Sequence, residues 1–390
     1  MDLLSILKKL TSIDTSIEKS TLDAVYYIKQ IFDENQLISK IIPYENDINR
    51  ACLIASTGNL TDMGLVLSGH LDTYGVSTQL KNWKTNPFDL NIKDDTVVGR
   101  GVVDMKGAIS SFLSAIERLK NISIPIHLVL THDEEGGFQG IKQLLENSFY
   151  GLISSKQYGC IVMEPTSFKQ VICHQGYERR KIIFHNLTSE KNGYEKCNLF
   201  KNIIVDIFEH TKFEVSEHFG QREFNLNIGN IRFIDDKKAT IDYQIKYSPE
   251  NETVANYFIR KIDVEAYKYS YYNSPISIEH VRKNKVLPFE ADSNEKFCHM
   301  VETFVGFNSN VMNFGTEAGF FQRFGIKNTI ILGPGDYERA HRSNEDIKIN
   351  ELEEYSKFLV NLARKIEKEN INNNLDKHFL IQNHHNCMKM

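Results

Sequence analysis

The sequence lacks the features that mark several classes of protein. Its six cysteines are scattered and none forms a Cys-x-x-Cys pair, which excludes a zinc ribbon and a thioredoxin-like site. No apolar run approaches the roughly 20 residues that span a bilayer, so no membrane partner is expected. Positive charge is not in excess, because 46 Lys and Arg stand against 51 Asp and Glu and the formal net charge is −5. A nucleic-acid partner therefore has no electrostatic basis.

The first residues show no pattern of a secretory leader. Lys8 and Lys9 interrupt the apolar positions, and no small-residue cleavage site follows them. Leu3, Leu7 and Leu10 recur at the spacing of an amphipathic helix. We therefore expect a helix at this end, free thiols and a cytoplasmic protein.

The composition is that of an ordinary globular chain. Of its 390 residues, 41% are hydrophobic and 25% are charged. At about 150 residues per domain, this length indicates two or three domains. Such a chain can bury a large core without a disulfide or a structural metal.

Short apolar runs alternate with helical patterns along much of the chain. The strand-like runs are 64–69, 124–130, 160–163 and 328–332, and the helical patterns include 105–120 and 351–369. This alternation predicts an α/β fold with a mostly parallel mixed sheet flanked by helices.

The pattern changes after residue 174. Short alternating stretches and one helix near 198–210 indicate a smaller inserted α+β domain over 175–282. We therefore expect one larger domain that is formed in two parts, 1–174 and 283–370, with the insertion between them. The polar, asparagine-rich segment 371–390 is predicted to be a flexible tail.

Five segments could carry chemistry, and each contains an acid or a histidine. They are Ser68–Asp72, Gly99–Gly107, Glu134–Gly137, Glu164–Thr166 and Ala340–Glu345. Taken singly, each has an ordinary explanation; Asp104, for example, could simply cap a helix. Three of the five follow strand-like runs directly, and ligand sites in open α/β sheets form beyond the carboxyl ends of the strands.

Together these segments supply two imidazoles and at least three carboxylates. So many like charges cannot converge without a cation. A set of nitrogen and oxygen ligands without thiolate suits zinc, cobalt or manganese. The sequence therefore predicts a metal centre.

The sequence also resembles a known family, the co-catalytic zinc hydrolases. These include acetylornithine deacetylase, succinyl-diaminopimelate desuccinylase, aminoacylase and the glutamate carboxypeptidases. The resemblance covers most of 1–370 and is carried by SGHLDT (68–73), GRGVVDMKG (99–107), DEEGG (133–137), MEPTS (163–167) and NFGTEAGFF…ILGPGDYERAH (313–341). The last two are most similar to acetylornithine deacetylase.

The resemblance implies a role for each matching residue. His70 and Glu164 would bind one divalent metal, Glu135 and His341 a second, and Asp104 would bridge them. The metals would be Zn²⁺, with Co²⁺ as the alternative.

Two further acids and several substrate contacts are implied in the same way. Asp72 would orient the His70 imidazole, and Glu134 would be the general base. The substrate-binding candidates are Thr316, Gly333, Gly335 and Lys246. The insertion would serve as a lid and as the contact surface of a homodimer.

One expected motif of the family is missing. Members carry a histidine in a Gly-x-x-Gly-His-Ser stretch of the smaller domain, which would fall near 186–192. Here that stretch reads NLTSEKN, and His185 is the nearest candidate. The Asp-x-Arg that holds a substrate carboxylate is also absent, and Lys246 could supply a cation in its place.

Three functions remain open at this point. The leading hypothesis is an amidohydrolase that releases a free amine from an N-acyl amino acid, in the manner of acetylornithine deacetylase. A dipeptidase or carboxypeptidase with the same metals is the second. The third is a catalytically weak or silent binding protein, because the histidine motif of the lid is missing.

Overall fold

A computed structural model describes residues 2–147, 157–220, 224–293, 295–306 and 310–387. Its helices are α1 (Leu3–Ser12), α2 (Leu22–Glu34), α3 (Lys106–Leu119), α4 (Gln139–Asn147), α5 (Glu190–Glu209), α6 (Glu252–Tyr272), α7 (Lys296–Val305), α8 (Ala318–Arg323) and α9 (Ile349–Cys387). Its strands are β1 (Ile38–Pro43), β2 (Ala51–Ser56), β3 (Leu65–His70), β4 (Asn91–Lys93), β5 (Thr96–Val98), β6 (Ile126–Thr131), β7 (Gly159–Val162), β8 (Val171–His174), β9 (Gly176–His185), β10 (Phe224–Ile228), β11 (Arg232–Asp235), β12 (Lys238–Tyr247), β13 (Ser277–Val286), β14 (Phe289–Glu290), β15 (Asn310–Met312), β16 (Thr329–Ile331) and β17 (Asp346–Lys348).

The larger of two compact units comprises 1–171, 291–309 and 320–390. Its main sheet has the strand order β1-β2-β6-β3-β7-β16. The four strands from β6 to β16 are parallel, whereas β1 and β2 run antiparallel at one edge. The predicted mixed α/β fold is therefore confirmed, with four parallel strands next to the two antiparallel strands β1 and β2.

The central strands are buried on both faces, which explains their continuous apolar sequence. Every residue of β2, β3, β6, β7 and β16 is buried. Strands covered by helices on both faces need apolar side chains at successive positions. Because the parallel strands end at the same edge, the residues that follow β3, β6 and β7 are brought close together.

The smaller unit comprises 172–290 and 310–319. Its antiparallel sheet has the order β10-β12-β9-β13, with β11 also paired to β12. Alternate residues of β9 face a core that includes Phe184, Phe200, Ile241 and Phe258. A sheet with one buried face produces the alternating pattern seen in the sequence.

Helix α9 continues to Cys387, beyond the predicted start of the tail. The flexible tail at 371–390 stays a prediction, and 388–390 lie outside the described residues. In the described part of the chain, no helix combines the length and the apolar character needed to cross a membrane.

Candidate metal centre

His70, the last residue of β3, is the centre of one cluster of potential metal ligands. Its Nε2 atom lies 2.9 Å from Oδ1 of Asp104 and 3.9 Å from Oε1 of Glu164. All three side chains are buried. Glu164 follows β7, the parallel neighbour of β3, so the pairing of these strands places the two ligands side by side.

His341 is the centre of a second cluster. Its Nε2 lies 2.8 Å from Oε1 of Glu135 and 3.1 Å from Oδ2 of Asp104. The two carboxylate oxygens of Asp104 therefore face different histidines. In each cluster the candidate ligand atoms all lie within 4.8 Å of one another. The five residues that the sequence analysis proposed as metal ligands are thus brought together in two groups that share Asp104.

Asp104 does not cap the helix that follows it. The N-cap position of α3 is Met105, which makes no side-chain capping bond. The Asp104 carboxylate is directed at the two histidines instead, so the ordinary explanation for this residue does not apply.

Gly333 allows the close packing that positions Glu164. A Cβ atom at Gly333 would come within 2.5 Å of the carbonyl oxygens of Met163 and Glu164. The Gly333 N–H also donates to Oγ1 of Thr166 at 3.2 Å. This glycine is therefore needed for the approach of two backbone segments, while its contact with substrate stays a prediction. Gly335, another substrate candidate, takes a positive φ of 79° in the same loop.

Asp72 acts on the site through two different groups. Nδ1 of His70 lies 2.8 Å from the backbone carbonyl of Asp72, but 3.7 Å from its carboxylate oxygen Oδ1. The carboxylate instead accepts the backbone N–H groups of Glu134 at 3.2 Å and Glu135 at 3.0 Å. The carbonyl thus orients the imidazole and leaves Nε2 toward Asp104, while the carboxylate holds the loop of the proposed base.

The charges in the site strongly perturb its titrating groups. Burial, together with the charges of Glu164 and Glu135, raises the pKa of Glu134 well above its usual value. Burial opposes protonation of His341, but its hydrogen bonds with Asp104 and Glu135 prevail and raise its pKa to about 10. The carboxylates therefore stabilise positive charge in the site. In the metal-free protein this charge is provided by protonated histidine.

This donor set fits divalent cations. It offers imidazole nitrogens and carboxylate oxygens without a thiolate, and it carries an excess of buried acid. Metal binding would displace the protons from the imidazoles, as deprotonated ligands require. The residues present thus suit the two metals that the resemblance implies.

The remaining site candidates lie in the smaller unit. Thr316 is buried, and its N–H donates to Nε2 of His174 at 3.2 Å. Lys246 lies on β12 opposite Tyr177 of β9. His185 ends β9, and its Nε2 lies 3.4 Å from Oε2 of Glu279. The roles of Thr316 and Lys246 in substrate binding stay predictions.

His174 makes the metal-free protein sensitive to acid. Nδ1–H donates to the carbonyl of Gln175 at 3.0 Å, so Nε2 must be unprotonated to accept from Thr316. Burial lowers the pKa of His174 to about 4, against about 6.5 in the unfolded chain. Its contribution to stability is therefore complete above pH 6.5 and is lost as the pH falls toward 4.

We expect His174→Gln to reduce this pH dependence. Glutamine can accept the Thr316 bond but does not titrate, so up to about 3 kcal/mol of the fall in unfolding free energy between pH 6.5 and 4 should disappear. Urea unfolding at a series of pH values measures the difference between the two proteins. Parallel pH curves for the variant and the wild type would contradict the assignment.

Sequence reasoning did not single out Glu345 and Arg100, which lie next to the proposed metal ligands. Arg100 Nη1 lies 2.8 Å from Oε2 of Glu345. Their location in the sequence could have pointed to them, because Arg100 lies in the same segment as Asp104 and Glu345 lies in the same segment as His341.

Comparison with known proteins agrees with this geometry. The profile of Peptidase family M20/M25/M40 matches residues 66–365. Acetylornithine deacetylase of Buchnera aphidicola subsp. Schizaphis graminum is 25% identical over 373 residues, which cover 91% of this chain and 94% of that relative.

Two solved structures share the fold. A metallo-carboxypeptidase of the M20 family from Sulfolobus solfataricus has a TM-score of 0.74 at 14% identity, covering 93% of this chain and 99% of that one. A dinuclear metal-binding peptidase of the M20 family from Bacillus subtilis has a TM-score of 0.63 at 12% identity, covering 94% and 97%. Since the family profile matches well over half of the sequence, the chain belongs to Peptidase family M20/M25/M40 and is a hydrolase of amide bonds.

Proposed function

We propose that this hydrolase cleaves an N-acyl amino acid to a carboxylate and a free amine, in the manner of acetylornithine deacetylase. The observation that carries the proposal is the pair of ligand clusters that share Asp104, with Glu134 in the loop beside them. The curated deacetylase relatives support the acyl amino acid as substrate class. So does the segment MEPTS (163–167) around Glu164, which is most similar to the corresponding segment of acetylornithine deacetylase.

Each residue of the site has a separate role in the proposed reaction. His70 and Glu164 would hold one divalent cation, Glu135 and His341 the other, and Asp104 both. Such cations, zinc in the first instance or cobalt, would lower the pKa of water and polarise the scissile carbonyl. Glu134 takes a proton from the attacking water and passes it to the departing nitrogen.

A dipeptidase or carboxypeptidase activity is the second candidate. It is favoured by solved relatives of the same fold, which include the metallo-carboxypeptidase and a yeast dipeptidase. The missing lid histidine motivates a third reading, a weak or silent binding protein. We further propose a cytoplasmic location and a homodimer formed through the smaller unit.

A substrate panel tests these alternatives. We expect amine release from N-acetylornithine or another N-acyl amino acid to exceed release from dipeptides, because the Glu164 segment resembles that of deacylases. EDTA should abolish the activity, and added Zn²⁺ or Co²⁺ should restore it, since the ligand clusters would be empty without them. Ninhydrin or a coupled amine assay measures the product.

The panel can also reject the proposal. Faster hydrolysis of dipeptides would favour the second candidate. A purified protein that binds no zinc and gains no thermal stability from added metal would favour the third. Activity that survives complete removal of metal would contradict all the hydrolase mechanisms considered.

A further inference from the structure

A buried ion pair lies beside the metal ligands without a role in the proposed reaction. Arg100 Nη1 is 2.8 Å from Glu345 Oε2, and the two side chains are 1% and 0% exposed. Burying two charges is costly, and such a pair gives little net stabilisation compared with apolar residues of similar size. A positioning role would give a reason for its presence.

Glu345 fixes the backbone that carries the shared ligand. Its Oε1 accepts the N–H groups of Val103 at 2.8 Å and Asp104 at 3.1 Å. Its Oε2 accepts the N–H of Gly101 at 3.1 Å as well as the Arg100 guanidinium. One carboxylate therefore ties the loop of Asp104 to the segment of His341, the ligand four residues before it.

Arg100 and its neighbours reach the other side of His341. The guanidinium carbon of Arg100 lies 5.8 Å from the centre of the Tyr74 ring. That ring stacks on the His341 imidazole, with 4.5 Å between ring centres and 13° between planes. Gln79 accepts a bond from Arg100 at 3.4 Å and donates to the His341 carbonyl at 2.9 Å. The ring and the backbone of His341 are thus both held by groups that contact Arg100.

His341 needs such support more than His70 does. The His341 side chain is 45% exposed, whereas that of His70 is 1% exposed. His70 sits at the end of a buried strand, and its Nδ1 is fixed by the carbonyl of Asp72. An exposed imidazole can adopt other rotamers, and each bond or stack that restricts it favours the ligand orientation.

We propose that Glu345, Arg100 and Tyr74, here called the His341 support, are positioning residues for the metal centre. The support sets the affinity of the position formed by Asp104, Glu135 and His341, and Glu345 also affects the second position because it fixes the backbone of the shared ligand Asp104. Tyr74 acts on the His341 ring alone, so its effect is confined to that position. The inference rests on the proposed function only in requiring that the two clusters bind metal.

Zinc affinity, measured by competition with a chromogenic chelator, tests the proposal without reference to turnover. We expect Tyr74→Leu to weaken one of the two bound zinc ions about 10- to 100-fold, as is typical when a group that orients a ligand is lost. Tyr74→Phe keeps the stacked ring and should bind both ions as the wild type does. Because Tyr74 is 36% exposed, neither change should threaten folding.

A double-mutant cycle shows which position responds. In a His341→Asn background the Tyr74→Leu change should have no further effect on zinc binding. In a Glu164→Gln background, which impairs the other position, its effect should persist. Equal effects in both backgrounds, or unchanged affinities in Tyr74→Leu, would overturn the proposal.

The buried carboxylate has its own matched control. Glu345→Gln should weaken zinc binding about 10- to 100-fold. Glu178→Gln removes an equally buried carboxylate, 2.7 Å from Arg180 in the smaller unit, and should leave zinc binding unchanged. Equal loss in both variants would show that general destabilisation, and not positioning, is the cause. If the wild-type protein bound no zinc, the metal centre itself would be refuted. If the wild type bound zinc and the variants of the His341 support bound it with the same affinity, only this inference would be refuted.

Discussion

Replacing Glu134 by glutamine is expected to lower kcat by about 10²- to 10⁴-fold, the range that general acid–base catalysis contributes. Glutamine has nearly the same shape but cannot take a proton from water. The Glu134 side chain belongs to neither ligand cluster, so both metal ions should stay bound. Steady-state kinetics on the preferred substrate and metal analysis of the purified variant measure the two quantities.

Substitution of the neighbouring Glu135 is the comparison that distinguishes loss of the base from loss of a metal ligand. Glu135→Gln removes a ligand atom 2.8 Å from His341, so it should lower both metal content and activity. Glu353→Gln, an exposed change on α9, should alter neither. If Glu134→Gln turned over at the wild-type rate, the proposed base would be wrong.

Asp104→Asn is expected to weaken both metal positions at once. The two carboxylate oxygens lie 2.9 Å from His70 and 3.1 Å from His341, and an amide offers only one oxygen with no charge. Loss of a shared anionic ligand should exceed the roughly 10- to 100-fold effect typical of outer-shell changes, and activity should fall with metal content. Metal affinity measured over a range of free zinc concentrations would show this.

His341→Asn is the control for Asp104→Asn, because His341 belongs to one cluster whereas Asp104 belongs to both. This change removes one imidazole from a single cluster, so one zinc ion should remain tightly bound. If Asp104→Asn also kept one zinc ion at wild-type affinity, Asp104 would belong to one position only. The bridging role would then have to be abandoned.

The clustering of the five proposed metal ligands could be predicted from the sequence because each belongs to a recognisable motif and several follow an apolar run. His70 and Glu164 come at the ends of β3 and β7, and parallel pairing brings such ends together. The partner of the His70 Nδ1 atom could not be predicted in the same way. The family resemblance implied that Asp72 orients the ring, but the local backbone presents the carbonyl of Asp72 to the ring, and not its carboxylate.

Helix α6 could not be predicted from the sequence, for a different reason. Residues 252–272 include Val254, Ile259, Tyr267 and Tyr271, and β-branched and aromatic residues are as typical of strands as of helices. Several of its large side chains are also exposed, which blurs the apolar face that would mark a helix. The packing of Ala255, Phe258 and Ile262 into the core of the smaller unit decides in favour of the helix.

Arg100 and Glu345 escaped prediction because their importance lies in a contact across 245 positions of the chain. A single charged residue in a motif is most often solvated, and nothing in the sequence marks these two as a buried pair. Only the structure shows that Glu345 accepts hydrogen bonds from three backbone N–H groups.

The proposed metal ligands come from segments that are remote in sequence, with His341 and Glu135 separated by 206 positions. An unfolded chain does not hold them together, so cations that bind here select the folded state. Free metal at 100 times its dissociation constant would add about 2.7 kcal/mol to the free energy of unfolding. Metal supply would therefore govern how long each molecule survives proteolysis, in addition to how fast it turns over. Starvation for the ion would then lower the amount of enzyme as well as its occupancy.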